Sequence, residues 1–184
     1  MTDIKLLAID LDDTLLTDSK EMEPKAKYLL RRASSEGIHV VISTGRGYAS
    51  ASYYSSMIAE GLPLISGNGA RLTHGRNGEK LLHSTIAGNI SSEIASYFDM
   101  NKWDLIVSTG EKLIRTNYTP LTTEDYGFTF VDSGLVATSN FPECIISGDE
   151  KGVDYLIDIC ENRFSEKVYV EIFHNNDGSI FSVS

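Results

Sequence analysis

Long apolar runs are missing from this sequence, and so is any excess of basic residues. No stretch approaches the ~20 consecutive apolar residues of a membrane-spanning helix. The N-terminus, MTDIK, reaches only a four-residue apolar stretch before Asp10, too short for the core of a signal peptide. Sixteen lysines and arginines face 26 aspartates and glutamates, a formal net charge of −10. That balance argues against nucleic acid or an anionic membrane as a partner. Any anion binding must come from a few locally placed basic residues. Cysteine is scarce as well: Cys144 lies in an apolar run and Cys160 in a helical pattern. Neither has the spacing of metal ligands, so both fit reduced, buried thiols of a cytoplasmic protein. Repeats, low-complexity tracts and Pro/Ser-rich linkers are absent. What remains is an ordinary globular composition, 41% hydrophobic and 23% charged, long enough for one domain or for one domain and a smaller partner.

The order of patterns along the chain sets the fold class. IKLLAI, 4–9, is apolar apart from Lys5, as expected of a strand buried on both faces of a parallel sheet. Pro24 suits a first helical turn, and an apolar face on Ala26, Tyr28, Leu29, Leu30 and Ala33 carries that helix to Gly37. IHVVIS, 38–43, predicts a second buried strand, 47–60 a second helix stopped by Gly61, and PLIS, 63–66, a third strand. This alternation is the doubly wound (Rossmann-like) α/β pattern, whose ligands sit beyond the carboxyl ends of the strands. A hairpin around Asn77-Gly78 is expected over 71–83. After residue 84 the expected elements are a helix at 90–100, strands at 104–108 and 112–116, an irregular stretch with Pro120, a strand at 143–147, a helix at 151–162, and strands at 168–173 and 179–183. That is an α+β arrangement, and the predicted domains are 1–84 and 85–184.

The chemistry-bearing residues fall at the strand ends. Asp10, Asp12 and Asp13 follow the first strand, Thr44-Gly45-Arg46 the second, and Gly67-Asn68-Gly69 the third. Crowded carboxylates at the mouth of a strand need a cation, a helix N-terminus or solvent to be tolerated. An Asp-x-Asp step offers two carboxylates and a main-chain carbonyl, hard oxygens suited to Mg²⁺. An aspartate beside Mg²⁺ can attack phosphorus, and a carboxylate two residues on can move the leaving-group proton. Phosphoryl transfer then needs donors for the equatorial oxygens: the Thr44 hydroxyl, amides around Gly45 at a helix N-terminus, the Arg46 guanidinium and the Asn68 amide.

DLDDTLL, ISTGR and SGNGA together resemble the first motif, the second-motif region and the following Asn-Gly loop of the haloacid dehalogenase superfamily, in its Cof-type sugar-phosphatase branch. The resemblance covers nearly the whole chain, strongly over 4–70. It implies an α/β core with a large α/β cap inserted after the third core strand, and a Mg²⁺-dependent phosphatase of small sugar or metabolite phosphates. By that likeness Asp10 is the nucleophile and a Mg²⁺ ligand. Asp12 is the general acid/base and a Mg²⁺ ligand through its main-chain carbonyl. Thr44 holds the transferring phosphoryl group, with Gly45, Arg46 and Asn68 beside it.

The chain departs from the family pattern in two ways. Asp13 stands where the family has glycine, which aspartate's tolerance of turn conformations permits. The family's third-motif lysine and fourth, acidic motif follow the cap, and the sequence stops at Ser184. The resemblance therefore implies a core half plus cap, with one edge of the first strand unpaired. Gly148-Asp149 and Asp154 match the looser acidic motif literally, which would put Asp149 and Asp154 on the metal, but 141–172 also resembles the middle of the family's cap, and that reading, with Asp149-Glu150 at a helix N-terminus, is favoured. Two other functions fit less of the sequence. One is a truncated, non-catalytic homologue; the other is a phospho-acceptor signalling module, which needs an aspartate at the end of the third strand that PLISGNG does not have. Tyr53, Tyr54 and Met57 at helical spacing read as packing. Thr44 also suits a helix N-cap, and His39 a core strand; no histidine is assigned a catalytic or metal role. Trp103 is a candidate for packing or substrate contact, and the loop 116–127 is placed by analogy to reach over the pocket and select the substrate.

Overall fold

A computed structural model describes residues 4–75, 78–116, 128–130, 144–147, 150–165, 167–168, 170–175 and 178–183. It divides into two compact units, Met1–His83 and Ser84–Ser184.

The first unit is built on a five-stranded sheet in the order β1-β2-β3-β4-β5. Strands β1 (Leu6–Ile9), β2 (His39–Ser43) and β3 (Leu64–Ser66) run parallel, β4 (Arg71–Thr73) pairs antiparallel with β3, and β5 (Lys80–His83) pairs antiparallel with β4. Helix α1 (Pro24–Ser35) joins β1 to β2, and α2 (Tyr48–Ile58) joins β2 to β3. Pro24 opens α1, where its missing N–H costs nothing, and Gly37, at φ +87°, turns the chain out of it. The two helices share one buried cluster with one face of the sheet, formed by Leu11, Leu15, Leu16, Leu30, Val40, Ile42, Ala51, Tyr54, Ile58 and Leu64.

The expectation that the first strand is buried on both faces is not met. Among the described residues strand β1 is the sheet edge, bonded to β2 alone, and its pattern alternates between exposed and half-buried. Leu7 and Ile9 pack toward the core, whereas Leu6 is 56% exposed. The register places Leu6, Ala8, Val41, Ile65, Leu72 and Leu82 on the same, opposite face. A continuous apolar run therefore hides a strand with one packed side. His39, expected in the core, is exposed at the start of β2.

The second unit carries a six-stranded sheet in the order β10-β11-β9-β6-β7-β8. Its strands are β6 (Ile106–Ser108), β7 (Leu113–Arg115), β8 (Phe128–Phe130), β9 (Cys144–Ser147), β10 (Val170–Asn175) and β11 (Gly178–Val183). Strand β8, which no periodicity announced, pairs parallel with β7. Helices α3 (Gly88–Asn101) and α4 (Glu150–Arg163) supply Ile90, Ile94, Phe98, Leu156 and Ile159 to a second core that also takes in Leu105 and Val107. Trp103 packs there, edge-on to Phe98 at 5.7 Å between ring centres, which favours the packing reading. Tyr97 and Tyr155 stack at 3.5 Å. The Cys160 thiol is free and buried, and burial pushes its pKa up to about 11. Asp154 is an exposed residue of α4 in this second unit; Asp149, Asn77 and most of the 116–127 loop lie outside the described residues. No helix among the described residues is long and apolar enough to cross a membrane.

Candidate active site

The three parallel strands of the first unit deliver three loops, and named contacts tie them together. After β1, Leu15 and Leu16 both return their N–H to the Leu11 carbonyl, and Leu11 is fully buried, so the aspartate loop is anchored from its middle. Asp13 takes a left-handed conformation, φ +55°, a region glycine enters freely and aspartate enters with modest strain. Asp13 thus takes the kind of turn conformation expected of it. Asp10 is exposed, and its Oδ1 accepts from the Leu11 N–H at 2.7 Å.

Asp12 links the first loop to the second. Arg46 Nε donates to Oδ2 at 2.6 Å and Nη2 to Oδ1 at 2.8 Å, a two-pronged pair whose planar fork matches the carboxylate. Lys20 Nζ donates to Oδ1 at 2.8 Å. The Arg46 hydrogen bonds foremost, with help from Lys20 and against partial burial, hold the Asp12 carboxyl well below the ordinary carboxylate range. Asp12 in turn raises both Lys20 and Arg46 above their ordinary values. Part of the opening electrostatic problem is therefore solved by two side-chain cations. The sequence reading placed Arg46 on phosphate; Nε and Nη2 go to Asp12 and Nη1 to Ser50 Oγ at 3.1 Å, which engages three of the guanidinium's five N–H groups, and the guanidinium carbon is 5.1 Å from the Tyr54 ring centre.

The second and third loops are joined through the backbone. Thr44 N–H donates to the Ile65 carbonyl at 3.1 Å, and Gly67 N–H to the Arg46 carbonyl at 2.9 Å. Asn68, at φ +52°, lays its side chain against Gly45: a Cβ added there would lie 2.5 Å from Asn68 Oδ1. Gly45 is needed as a residue without a side chain, and the TGR step is legible as a packing requirement as much as an anion site.

Two expectations about this loop are corrected. Thr44 is not a helix N-cap: α2 begins at Tyr48 behind Gly47, which makes no side-chain cap, and Thr44 Oγ1 accepts the Arg46 N–H at 3.2 Å. For the same reason the Gly45 amide does not sit in the first turn of a helix, because the chain needs two further residues to turn into α2. Thr44 is also buried, 6% exposed.

Sequence reasoning gave Lys20 no role, since a lone lysine in DSKEMEP carries no motif. Its place comes from a tight return of the chain in which Lys20 N–H donates to the Thr17 carbonyl, Thr17 N–H to the Glu21 carbonyl, and Leu16 bridges Met22. Tyr54 packs as expected and also donates its hydroxyl to the Lys20 carbonyl at 3.0 Å; its neighbour Tyr53 is exposed rather than packed. Among the described residues, no three His, Cys, Asp or Glu side chains are grouped to hold an ion. A cleft of about 300 Å³ lined by Tyr48, Ser52, Ser55, Glu60 and His74 is lined by none of the predicted residues.

Comparison with known proteins agrees with this architecture. The phosphatase YwpJ of Bacillus subtilis is 33% identical over 117 residues, 64% of this chain and 39% of its own length. The 5-amino-6-(5-phospho-D-ribitylamino)uracil phosphatase YitU of the same organism is 39% identical over 69 residues, 38% of this chain and 26% of its own. The match thus spans well under half of either relative. A crystal structure of a haloacid dehalogenase-like hydrolase from Bacteroides thetaiotaomicron superposes with a TM-score of 0.81 at 16% identity, covering 98% of this chain and 71% of that one, and shows a shared fold. The model of the haloacid dehalogenase-like hydrolase family matches residues 7–183. With nearly the whole sequence matched and its loops arranged as described, the chain belongs to the haloacid dehalogenase-like hydrolases, in their Cof-type branch.

Proposed function

We propose that this chain carries the catalytic loops of a Mg²⁺-dependent phosphomonoesterase acting on small sugar or metabolite phosphates, with the second unit as its cap. The observation that carries the reading is the tie between loops: Asp12 to Arg46, Arg46 to Gly67, and Gly45 to Asn68. It supports the reading because it joins the loop that carries Asp10 and Asp12 to those that carry Thr44, Arg46 and Asn68.

In this reading Asp10, exposed at the end of β1, attacks phosphorus and becomes the aspartyl-phosphate, expelling the leaving oxygen. Asp12 protonates that oxygen and later takes a proton from the hydrolytic water. Thr44, Gly45, Arg46 and Asn68 orient the phosphoryl oxygens. The donor set left for a metal is the Asp10 carboxylate and the Asp12 carbonyl, since the Asp12 carboxylate is held by cations. Such a small hard-oxygen set fits Mg²⁺, which keeps several waters and takes phosphate oxygens. When bound, Mg²⁺ would neutralise charge between nucleophile and phosphate.

A second reading, a homologue that binds phosphate without turnover, draws support from the Asp12 ion pairs, which favour the ionised carboxylate over the proton-carrying form that a general acid needs. One assay separates the two. Hydrolysis of p-nitrophenyl phosphate that needs Mg²⁺ and falls at least ~10³-fold in Asp10→Asn supports the enzyme. Phosphate binding with no turnover above the Asp10→Asn background supports the second reading.

A further inference from the structure

Lys20 is the cation the family resemblance does not account for, and its position is built rather than incidental. Its backbone sits at φ +59°, a region that a lysine with a Cβ disfavours. Three contacts hold it there: its own N–H on the Thr17 carbonyl, the Leu16–Met22 bridge that closes the return, and the buried Tyr54 hydroxyl on its carbonyl. The side chain so placed meets Asp12 Oδ1 at 2.8 Å.

The position also has a chemical direction. An oxygen that exchanges a proton with Asp12 lies about 2.7 Å from one of its carboxylate oxygens. Lys20 Nζ and Arg46 Nη2 both donate to Oδ1, whereas Oδ2 takes Arg46 Nε, so the freer lone pair is on Oδ2; the two oxygens are about 2.2 Å apart, and a leaving oxygen served by Oδ2 lies within about 8 Å of Nζ. The Arg46 side chain is 24% exposed and the Lys20 side chain 52%, so Lys20 is the outer of the two cations. An ammonium has three N–H donors, and among the described residues one is engaged, on Asp12. Asp12, Arg46 and Lys20 together carry one net positive charge.

We propose that Lys20 is a specificity-determining residue of the phosphatase site, donating to an oxygen on the leaving group next to the ester bond. The inference rests on the phosphatase reading, and specifically on Asp12 as the proton donor. It gives the turn between β1 and α1 a task distinct from phosphoryl binding. Tyr54 is a positioning residue in this scheme, acting through the Lys20 carbonyl.

The test compares kcat/KM for two substrates, glycerol 2-phosphate, which carries hydroxyls beside the ester, and p-nitrophenyl phosphate, which carries none. Wild type, Lys20→Met, Lys20→Arg and Tyr54→Phe are measured as full chains, with far-ultraviolet circular dichroism as the folding control. The expected result is a roughly tenfold fall in the glycerol-to-aryl preference in Lys20→Met, carried mainly by KM. Lys20→Arg should restore most of that preference, and Tyr54→Phe should show a smaller fall of the same kind. Equal losses on both substrates, or no loss, overturn the inference while leaving the phosphatase reading intact. A wild-type chain that hydrolyses neither substrate, with or without Mg²⁺, overturns both.

Discussion

Removing the Arg46–Asp12 pair should loosen the first unit by an amount the geometry bounds. The perturbation is a double-mutant cycle of Arg46→Met, Asp12→Asn and the combined variant. At a separation of about 3 Å, unit charges attract by about 1.4 kcal/mol at water's dielectric constant and by about 5.5 kcal/mol at an effective value of 20. The Asp12 side chain is 35% exposed and that of Arg46 24%, so solvent screening pulls the pair toward the lower figure. Fixing a long arginine side chain subtracts further, while the two-pronged geometry adds. The expected coupling free energy is therefore about 1–2 kcal/mol, above the usual range for exposed pairs because the pair is two-pronged and partly buried. Urea unfolding at low ionic strength reads it, and added salt should shrink it. Additivity within about 0.3 kcal/mol would mean that the pair does not tie the loops, and the reasoning about a joined site would fail with it.

Other outcomes follow from single features. Gly45→Ala places a methyl group 2.5 Å from Asn68 Oδ1. It should lower kcat/KM about tenfold by displacing Asn68, at a stability cost below about 1 kcal/mol, and Asn68→Ala in the same chain should remove most of that stability cost. Phe98, 1% exposed, anchors the second core, so Phe98→Ala should cost about 3–5 kcal/mol in that unit by thermal or urea unfolding. Cys160 has a folded pKa of about 11, above its ordinary value. Between about pH 9 and that value the unfolded chain holds fewer protons than the folded one, so stability should fall by about 1–3 kcal/mol as pH rises through this window. Cys160→Ala should flatten that fall in a thermal melt series from pH 8 to 11. Below pH 9 the same thiol should react with Ellman's reagent only on unfolding.

The order of elements was legible because each depends on local chemistry. Pro24 and Gly37 bracket α1, and the apolar runs 38–43 and 63–66 contain β2 and β3. Which faces those strands bury was not legible, because burial of β1 depends on what lies beside it in space. Strand β8 was missed since FTF is too short to show an alternation and pairs with β7 across an intervening stretch of chain. At the site, Asp10, Asp12, Thr44, Arg46 and Asn68 could be singled out from strand-end position and residue type. Their partners could not: a two-pronged Arg46–Asp12 pair spans 34 residues, and Lys20 reaches Asp12 only through a turn whose backbone conformation no residue in it advertises.

Chemical trapping at Asp10 tests the central claim most directly. Quenching the chain during turnover of a phosphomonoester with Mg²⁺, reducing with borohydride and mapping peptides by mass spectrometry should convert residue 10 from aspartate to homoserine, with Asp12 and Asp13 untouched. Turnover with residue 10 unmodified, or modification at another carboxylate, would contradict the account.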